Sequence, residues 1–229
     1  MLAVGSLALT GCGQKNQSNP NAGKGGGTTS KSAPLQDLNI KSRDEVKDGG
    51  TVRFSIETLP TTWNALHIDG NTVDLSTTIM GFVGANNFDI AEDGTPKPDT
   101  DYLQSYDVQT NGGKQVVTLH LNPKARWNSG RTIDYTDYQA TWKANNGANE
   151  DFKMASSDGF NQIESVKKGD KDTDVVITYK ATYPDWTATW SSVMPKEGVG
   201  TPETFNNGWK QFKSEWFTGP FILDHIDQA

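Results

Sequence analysis

Cysteine is almost missing from this chain of 229 residues: Cys12 is the only one, so no disulfide and no cysteine-based metal site can form within it. Histidine is nearly as scarce. His67, His120 and His225 lie far apart, without the i, i+4 or other short spacing of a metal centre. Lys and Arg number 21 against 28 Asp and Glu, a formal charge of −7, and they form no basic cluster. Nucleic-acid binding rests on phosphate neutralisation by such clusters and is therefore excluded. The glycines, among them Gly130, Gly147 and Gly159, form no phosphate loop, and there is no G-x-S-x-G turn for a nucleophilic serine. Acidic pairs such as Glu92-Asp93 fall in turn signals, whereas a glycosidase needs two carboxylates converging across a cleft. Long apolar runs are absent too: residues 2–9 fall far short of the roughly 20 that span a bilayer. What remains is a protein without catalytic or cofactor chemistry of its own, that is, a non-enzyme.

The position of the single cysteine carries more than its count. The short apolar run ends in Leu9-Thr10-Gly11-Cys12, which resembles the lipobox of a bacterial lipoprotein signal peptide, although no Lys or Arg precedes it. Residues 1–12 are then a signal peptide and Cys12 the lipidation site. Residues 13–47 are rich in Gly, Ser, Asn, Gln and Thr, with almost nothing apolar before Leu35. Such a segment cannot bury enough surface to fold, and a flexible chain of ~30 residues reaches on the order of 30 Å. It reads as a disordered tether holding a globular part clear of a membrane.

The most informative stretch runs from 116 to 143. Val117, Leu119 and Leu121 alternate with Thr118 and His120, the period of a half-buried strand, and Pro123, having no N–H, ends it. After a turn at Ser129-Gly130, Asp134 and Asp137 stand as the N-cap and N3 of a helix whose Tyr138, Thr141 and Trp142 share a face, closed by Asn145-Asn146-Gly147. Trp127 lies between strand and helix as a packing wedge.

These residues carry a resemblance. Thr118, Leu121, Arg126-Trp127, Gly130 and Asp137 match the pattern of extracytoplasmic solute-binding protein family 5, the oligopeptide-, dipeptide- and nickel-binding lipoproteins of ABC importers. Asn122, Ser129, Thr132 and Asp134-Tyr135 depart from it and mark a divergent member. Further matches follow in order. Gly49-Gly50 precedes an alternating run of Val52, Phe54 and Ile56, read as a first strand, and Trp63-Asn64-Ala65-Leu66 is similar to the turn after it. Gly94, Pro98 and Ser105 match the next segment, Val193-Met194-Pro195-Lys196 a return corner, and Thr218-Gly219-Pro220-Phe221 a loop that opens another strand.

Between these lie local signals. Residues 73–82 read as a helix with Val73, Ile79, Met80 and Phe82 buried, and Glu92-Asp93-Gly94 as a hairpin turn after Phe88. Asp107 and its neighbours form a strand that Asn111-Gly112-Gly113 turns back onto 115–121. Residues 163–166 and 175–179 are strands around a polar loop. Asp170, Asp172 and Asp174 in that loop alternate like half a calcium site, but Val175 and Ala181 stand where such a loop needs glycine and glutamate, so a solvated hairpin is the reading. Residues 201–209 resemble the family's short helix beyond the return corner.

The fold class implied is α/β (mixed α+β), the N-terminal half of a two-lobed periplasmic-binding-protein type 2 fold with an inserted antiparallel subdomain. Residues 48–71 and 181–229 would build an incomplete first lobe, 72–180 the insert, and a second ligand-binding lobe would be missing from this chain. The family implies a lipid-anchored extracytoplasmic monomer, without cofactor, that captures a short peptide or other small solute and delivers it to an ABC permease. Ile68, Asp69, Gly70, Asn71 and Thr72 fall where the family's chain lines the ligand cleft. Trp186 and Trp190, four apart, are either core or a ligand border; if exposed, they would equally suit a cell-surface glycan-binding or adhesion module.

Overall fold

A computed structural model describes Asn39 and residues 41–227. The signal peptide and Cys12 fall outside the described residues, as does most of the tether. The tether residues that are described hold one 3-10 turn, Arg43–Glu45, which Ser42 caps and which buries nothing. A π-helix, Asp74–Ile79, runs into α1 (Met80–Val83) and is followed by β1 (Ala85–Asn86), β2 (Phe88–Ile90) and β3 (Pro96–Pro98). Then come the long hairpin β4 (Leu103–Asn111) and β5 (Lys114–Leu121), helix α2 (Tyr135–Asn145), and the hairpin β6 (Ile163–Lys168) and β7 (Asp174–Tyr179). The short elements α3 (Trp186–Thr189), β8 (Ser192–Val193), α4 (Lys196–Val199) and α5 (Pro202–Asn207) follow, with 3-10 turns at Phe160–Gln162 before β6 and Ser214–Trp216 after α5. No described helix is long and apolar enough to cross a membrane.

Strands β4-β5-β7-β6 form an antiparallel sheet in that order. The alternation in β5 is the reason it sits centrally: Val117, Leu119 and Leu121 point to one face, where they meet Val175, Ile177 and Tyr179 from β7 and are covered by Trp127, Tyr138, Phe160 and Trp190. The β4–β5 turn takes Gly112 and Gly113 at φ 59° and 81°, a left-handed pair that favours glycine. A second core gathers Trp63, Leu75, Met80, Val83, Ala144, Phe152, Met194, Val199, Phe205, Trp209 and Phe217. Helix α2 serves both, with Tyr138 in the first and Ala144 in the second. So does the strand end at 193–194, whose successive residues point to opposite sides.

Three expectations need correction. Residues 51–56 are not a strand: Val52 is 77% and Phe54 60% exposed, and among the described residues no strand pairs with them. Alternation supplies a strand's side chains, but its backbone also needs a ladder partner. The Phe54 ring instead rests on Phe82, 5.2 Å away, and Phe82 meets Phe221 at 5.4 Å. Residues 218–226 are likewise without strand structure, although Thr218 and Gly219 N–H both donate to the Val83 carbonyl at 3.0 and 2.8 Å. The third correction concerns the helix face at 73–83. Val73 is 79% exposed and Leu75 fully buried. The Met80 N–H reaches back five residues to the Leu75 carbonyl, so the π-turn stacks Leu75 under Met80, which a 3.6-residue period does not foresee.

The expected cap of α2 is present and does more than cap. Asp134 accepts the Thr136 N–H at 2.8 Å, and the fully buried Asp137 carboxylate accepts the Asp134 N–H at 3.1 Å. The same carboxylate takes the Trp127 indole N–H (3.1 Å), both Arg131 guanidinium nitrogens (3.0 and 2.6 Å) and the Lys196 N–H (2.9 Å). Burial works against the Arg131 charge, but hydrogen bonds and attraction from Asp137 and Glu197 outweigh it and hold the guanidinium well above its ordinary pKa.

On the other face of the sheet His120 bridges two strands, its Nδ1 2.9 Å from Asp174 and its Nε2 3.1 Å from Asp107. Both ring nitrogens face carboxylates, so the imidazolium is the fitting form. Hydrogen bonds to Asp174 and then Asp107 raise the pKa above the usual histidine value. A raised folded pKa gives stability that is complete below the unfolded value of about 6.5 and is lost as pH rises through the folded one. The stability difference between wild type and His120→Gln, measured by urea unfolding, is therefore expected to be largest at pH 5.5 and to shrink on the alkaline side. A difference that grows with pH would refute the bridge.

Candidate functional site

The stretch 68–72 is folded onto a buried frame. Asn64 anchors it: the Trp63 N–H donates to the Trp209 carbonyl at 2.8 Å, and the Asn64 amide donates to the Phe205 carbonyl at 3.0 Å. The side-chain oxygen of Asn64 takes the Leu66 N–H at 3.0 Å, and its carbonyl takes the His67 N–H at 3.0 Å. The Ile68 N–H and the Leu66 carbonyl pair with the Lys153 carbonyl and the Ala155 N–H, both at 2.9 Å, forming a bridge of His67 with Met154. Gly70 is required here because a Cβ would lie 2.1 Å from the Asn64 carbonyl oxygen.

This frame leaves Ile68, Asp69, Asn71 and Thr72 exposed, with Gly70 turned in. Thr72 then opens the π-helix, its hydroxyl accepting the Leu75 N–H at 3.3 Å. Asp74, the first residue of that helix, accepts the N–H groups of Glu57 and Thr58 at 3.0 and 3.2 Å. The two segments are thereby tied around an open recess of about 640 Å³ lined by Ser55, Ile56, Glu57, Thr58, Thr72, Val73 and Asp74. That volume lies within the range of small-ligand pockets, roughly 300–1,000 Å³. Its carboxylates, Glu57 and Asp74, give it an acidic rim suited to an ammonium group, and exposed Asp69 lies in the same exposed stretch.

Of the expected residues, Thr72 lines the recess and Asp69 and Asn71 are exposed nearby in sequence. Of the two readings of Trp186 and Trp190, burial favours the core. Trp190 is fully buried between Tyr138 (5.3 Å) and Phe160 (5.5 Å), with its indole N–H donated to the Tyr179 hydroxyl at 3.1 Å. Trp186 is buried against Tyr106 (4.9 Å) and Phe88 (5.6 Å). Both indoles pack inside the core, with little ring face exposed for stacking on a sugar. Glu57, Thr58 and Asp74 were missed from sequence. The Thr72-x-x-Leu75 spacing was the legible signal of a capped helix start there.

No family model matches the chain. The oligopeptide-binding proteins OppA of Mycobacterium tuberculosis and Mycobacterium bovis are each 32% identical to it over 234 aligned residues, covering 99% of this chain and 38% of theirs. The chain thus spans 38% of the length of these curated relatives. Among solved structures, the periplasmic EDTA-binding protein EppA superposes with a TM-score of 0.65 at 23% identity, covering 73% of this chain and 32% of that one. AppA of Bacillus subtilis, solved in complex with a nonapeptide, gives a TM-score of 0.61 at 19% identity over 74% of this chain and 33% of its own. At such identities the likeness establishes the fold, which is the mixed α/β periplasmic-binding-protein type 2 class with antiparallel sheets.

Proposed function

We propose that this chain is a member of extracytoplasmic solute-binding protein family 5 and supplies one wall of a site that captures a short peptide for an ABC importer. Members of this family bind solutes and are not enzymes, so the chemistry to explain is recognition. The observation that carries the reading is the recess between residues 55–58 and 72–74, held open by Asp74 and rimmed by carboxylates. Main-chain groups of Ser55 and Ile56 and the carbonyls of Glu57 and Thr58, whose N–H groups Asp74 already takes, offer hydrogen bonds to an extended peptide backbone, while Asp69 and Glu57 offer charge to its amino terminus.

In this reading residues 48–71 and 181–229 belong to the first lobe and 72–180 to the insert, with Leu75, Met80, Val83, Ala144 and Phe152 crossing to pack beside Trp63 and Trp209. The apolar rings of Phe54, Phe82 and Phe221 are where further parts of a two-lobed protein would rest. Delivery to a permease, a monomeric state and an extracytoplasmic location belong to the same proposal. So does lipidation of Cys12, for which the expected result is a mature chain beginning at a diacylglyceryl-modified Cys12 by mass spectrometry of the membrane fraction. A mature chain starting elsewhere would exclude it.

Asp69→Ala is expected to weaken binding of a free tripeptide by about 1.5–3 kcal/mol, the usual loss for a charge-assisted hydrogen bond. N-acetylated tripeptide should lose little more on the variant than on wild type. Calorimetry with both peptides decides it, and equal losses would show that Asp69 is not the amine partner.

A further inference from the structure

Beneath the exposed stretch lies a histidine for which peptide contact gives no use. His67 is 3% exposed, and three successive amides of the stretch end on it. The Asp69 N–H donates to its Nδ1 at 3.1 Å, and the Gly70 and Asn71 N–H groups both donate to its carbonyl oxygen at 2.9 Å. A ring nitrogen that accepts an N–H is unprotonated, so the neutral imidazole carries its proton on Nε2. That Nε2 is buried and has no hydrogen-bond partner among the described residues. The surroundings hold the ring in place: Phe205 stands 6.0 Å away, and the bridge to Met154 fixes the backbone. The charged groups that face it are Asp69, whose Oδ2 is 3.7 Å from Nδ1, and Lys153 on the opposing segment.

We infer that His67 is the positioning residue of this site, and that protonating it switches residues 69–71 from a ligand-ready to a self-paired arrangement. The inference rests on the reading that this stretch meets the ligand. Adding one proton to Nδ1 turns an acceptor into a donor. The Asp69 N–H then loses its partner, while the new Nδ1–H faces the Asp69 carboxylate, already close. A carboxylate drawn onto the imidazolium is no longer offered to a ligand ammonium. Burial holds the His67 pKa below the usual histidine value, with Asp69 raising it and Lys153 lowering it in smaller measure. A depressed folded pKa means that the neutral arrangement is complete above about 6.5 and is lost as pH falls through the folded value. The site is thereby armed at neutral pH and released in acid.

The test is an NMR pH titration of the full chain, with and without trialanine. The amide resonances of Asp69, Gly70 and Asn71 are expected to move together with the His67 ring, with one midpoint below 6.5. In His67→Asn, where the side-chain oxygen can take the place of Nδ1 but cannot titrate, that movement should vanish while the three amides stay near their neutral-pH positions. Trialanine affinity of the wild type should fall by up to about tenfold per pH unit below the midpoint. Amides that hold still through the ring's titration, or that titrate unchanged in His67→Asn, would overturn the inference. If trialanine moves none of these residues at any pH while the amides still follow the ring, the positioning role stands and the binding assignment falls.

Discussion

Asp137→Ala is expected to destabilise the fold by about 3–5 kcal/mol, the usual effect of removing one partner of a buried ion pair. The carboxylate is fully buried and accepts from Trp127, Arg131, Asp134 and Lys196, so the variant leaves the indole and two backbone N–H groups without this acceptor and the guanidinium with only Glu197 and the Thr132 carbonyl. Water could reach Arg131, which is partly exposed; the Trp127 and Lys196 donors have less recourse. Asp137→Asn should cost less, about 1–3 kcal/mol, because it keeps one acceptor but turns an amide toward the remaining donors. Urea unfolding of both variants tests this. An alanine variant within 1 kcal/mol of wild type would mean that the five bonds do not tie the return segment at Lys196 to the start of α2.

Trp190→Ala should be nearly as severe, about 3–5 kcal/mol, the range for truncating a large aromatic residue in a packed core. It removes contacts with Tyr138 and Phe160 and the donor to the Tyr179 hydroxyl. Trp190→Phe keeps most of the ring and should lose roughly 1–2 kcal/mol, since mainly that hydrogen bond is lost. The same pair of variants separates core from ligand border. A core residue moves the unfolding midpoint, whereas a ligand residue would leave the midpoint unchanged and weaken peptide binding.

The parts of the fold that could be read from sequence are those decided within one segment. The alternation of Val117, Leu119 and Leu121 named β5, the Asn111-Gly112-Gly113 turn named its partner, and the Asp134–Asp137 spacing named the start of α2. What escaped depends on residues far away in the chain. Asp137 looked like a local cap because its neighbours at three and six residues are local; the Lys196 N–H, 59 residues on, is not. Residues 51–56 carry a strand's side chains, but no sequence pattern reports whether a ladder partner is present. A four-residue tryptophan spacing fits a buried and an exposed face equally, so Trp186 and Trp190 could not be assigned before their packing was known. At the site, residues 68–72 came from a resemblance, whereas Glu57 and Thr58 join them through the Asp74 carboxylate, 17 and 16 residues away.

The most direct measurement of where peptide binds is photocrosslinking to the wild-type chain of a free-amine tripeptide bearing a benzophenone side chain, with the adducts mapped by mass spectrometry. Crosslinks are expected on residues 55–58 and 68–74, competed by unlabelled tripeptide and reduced in Asp69→Ala. Crosslinks confined to the outer face of the four-stranded sheet or to residues 183–192, or labelling that unlabelled peptide does not compete, would contradict a binding wall at this recess.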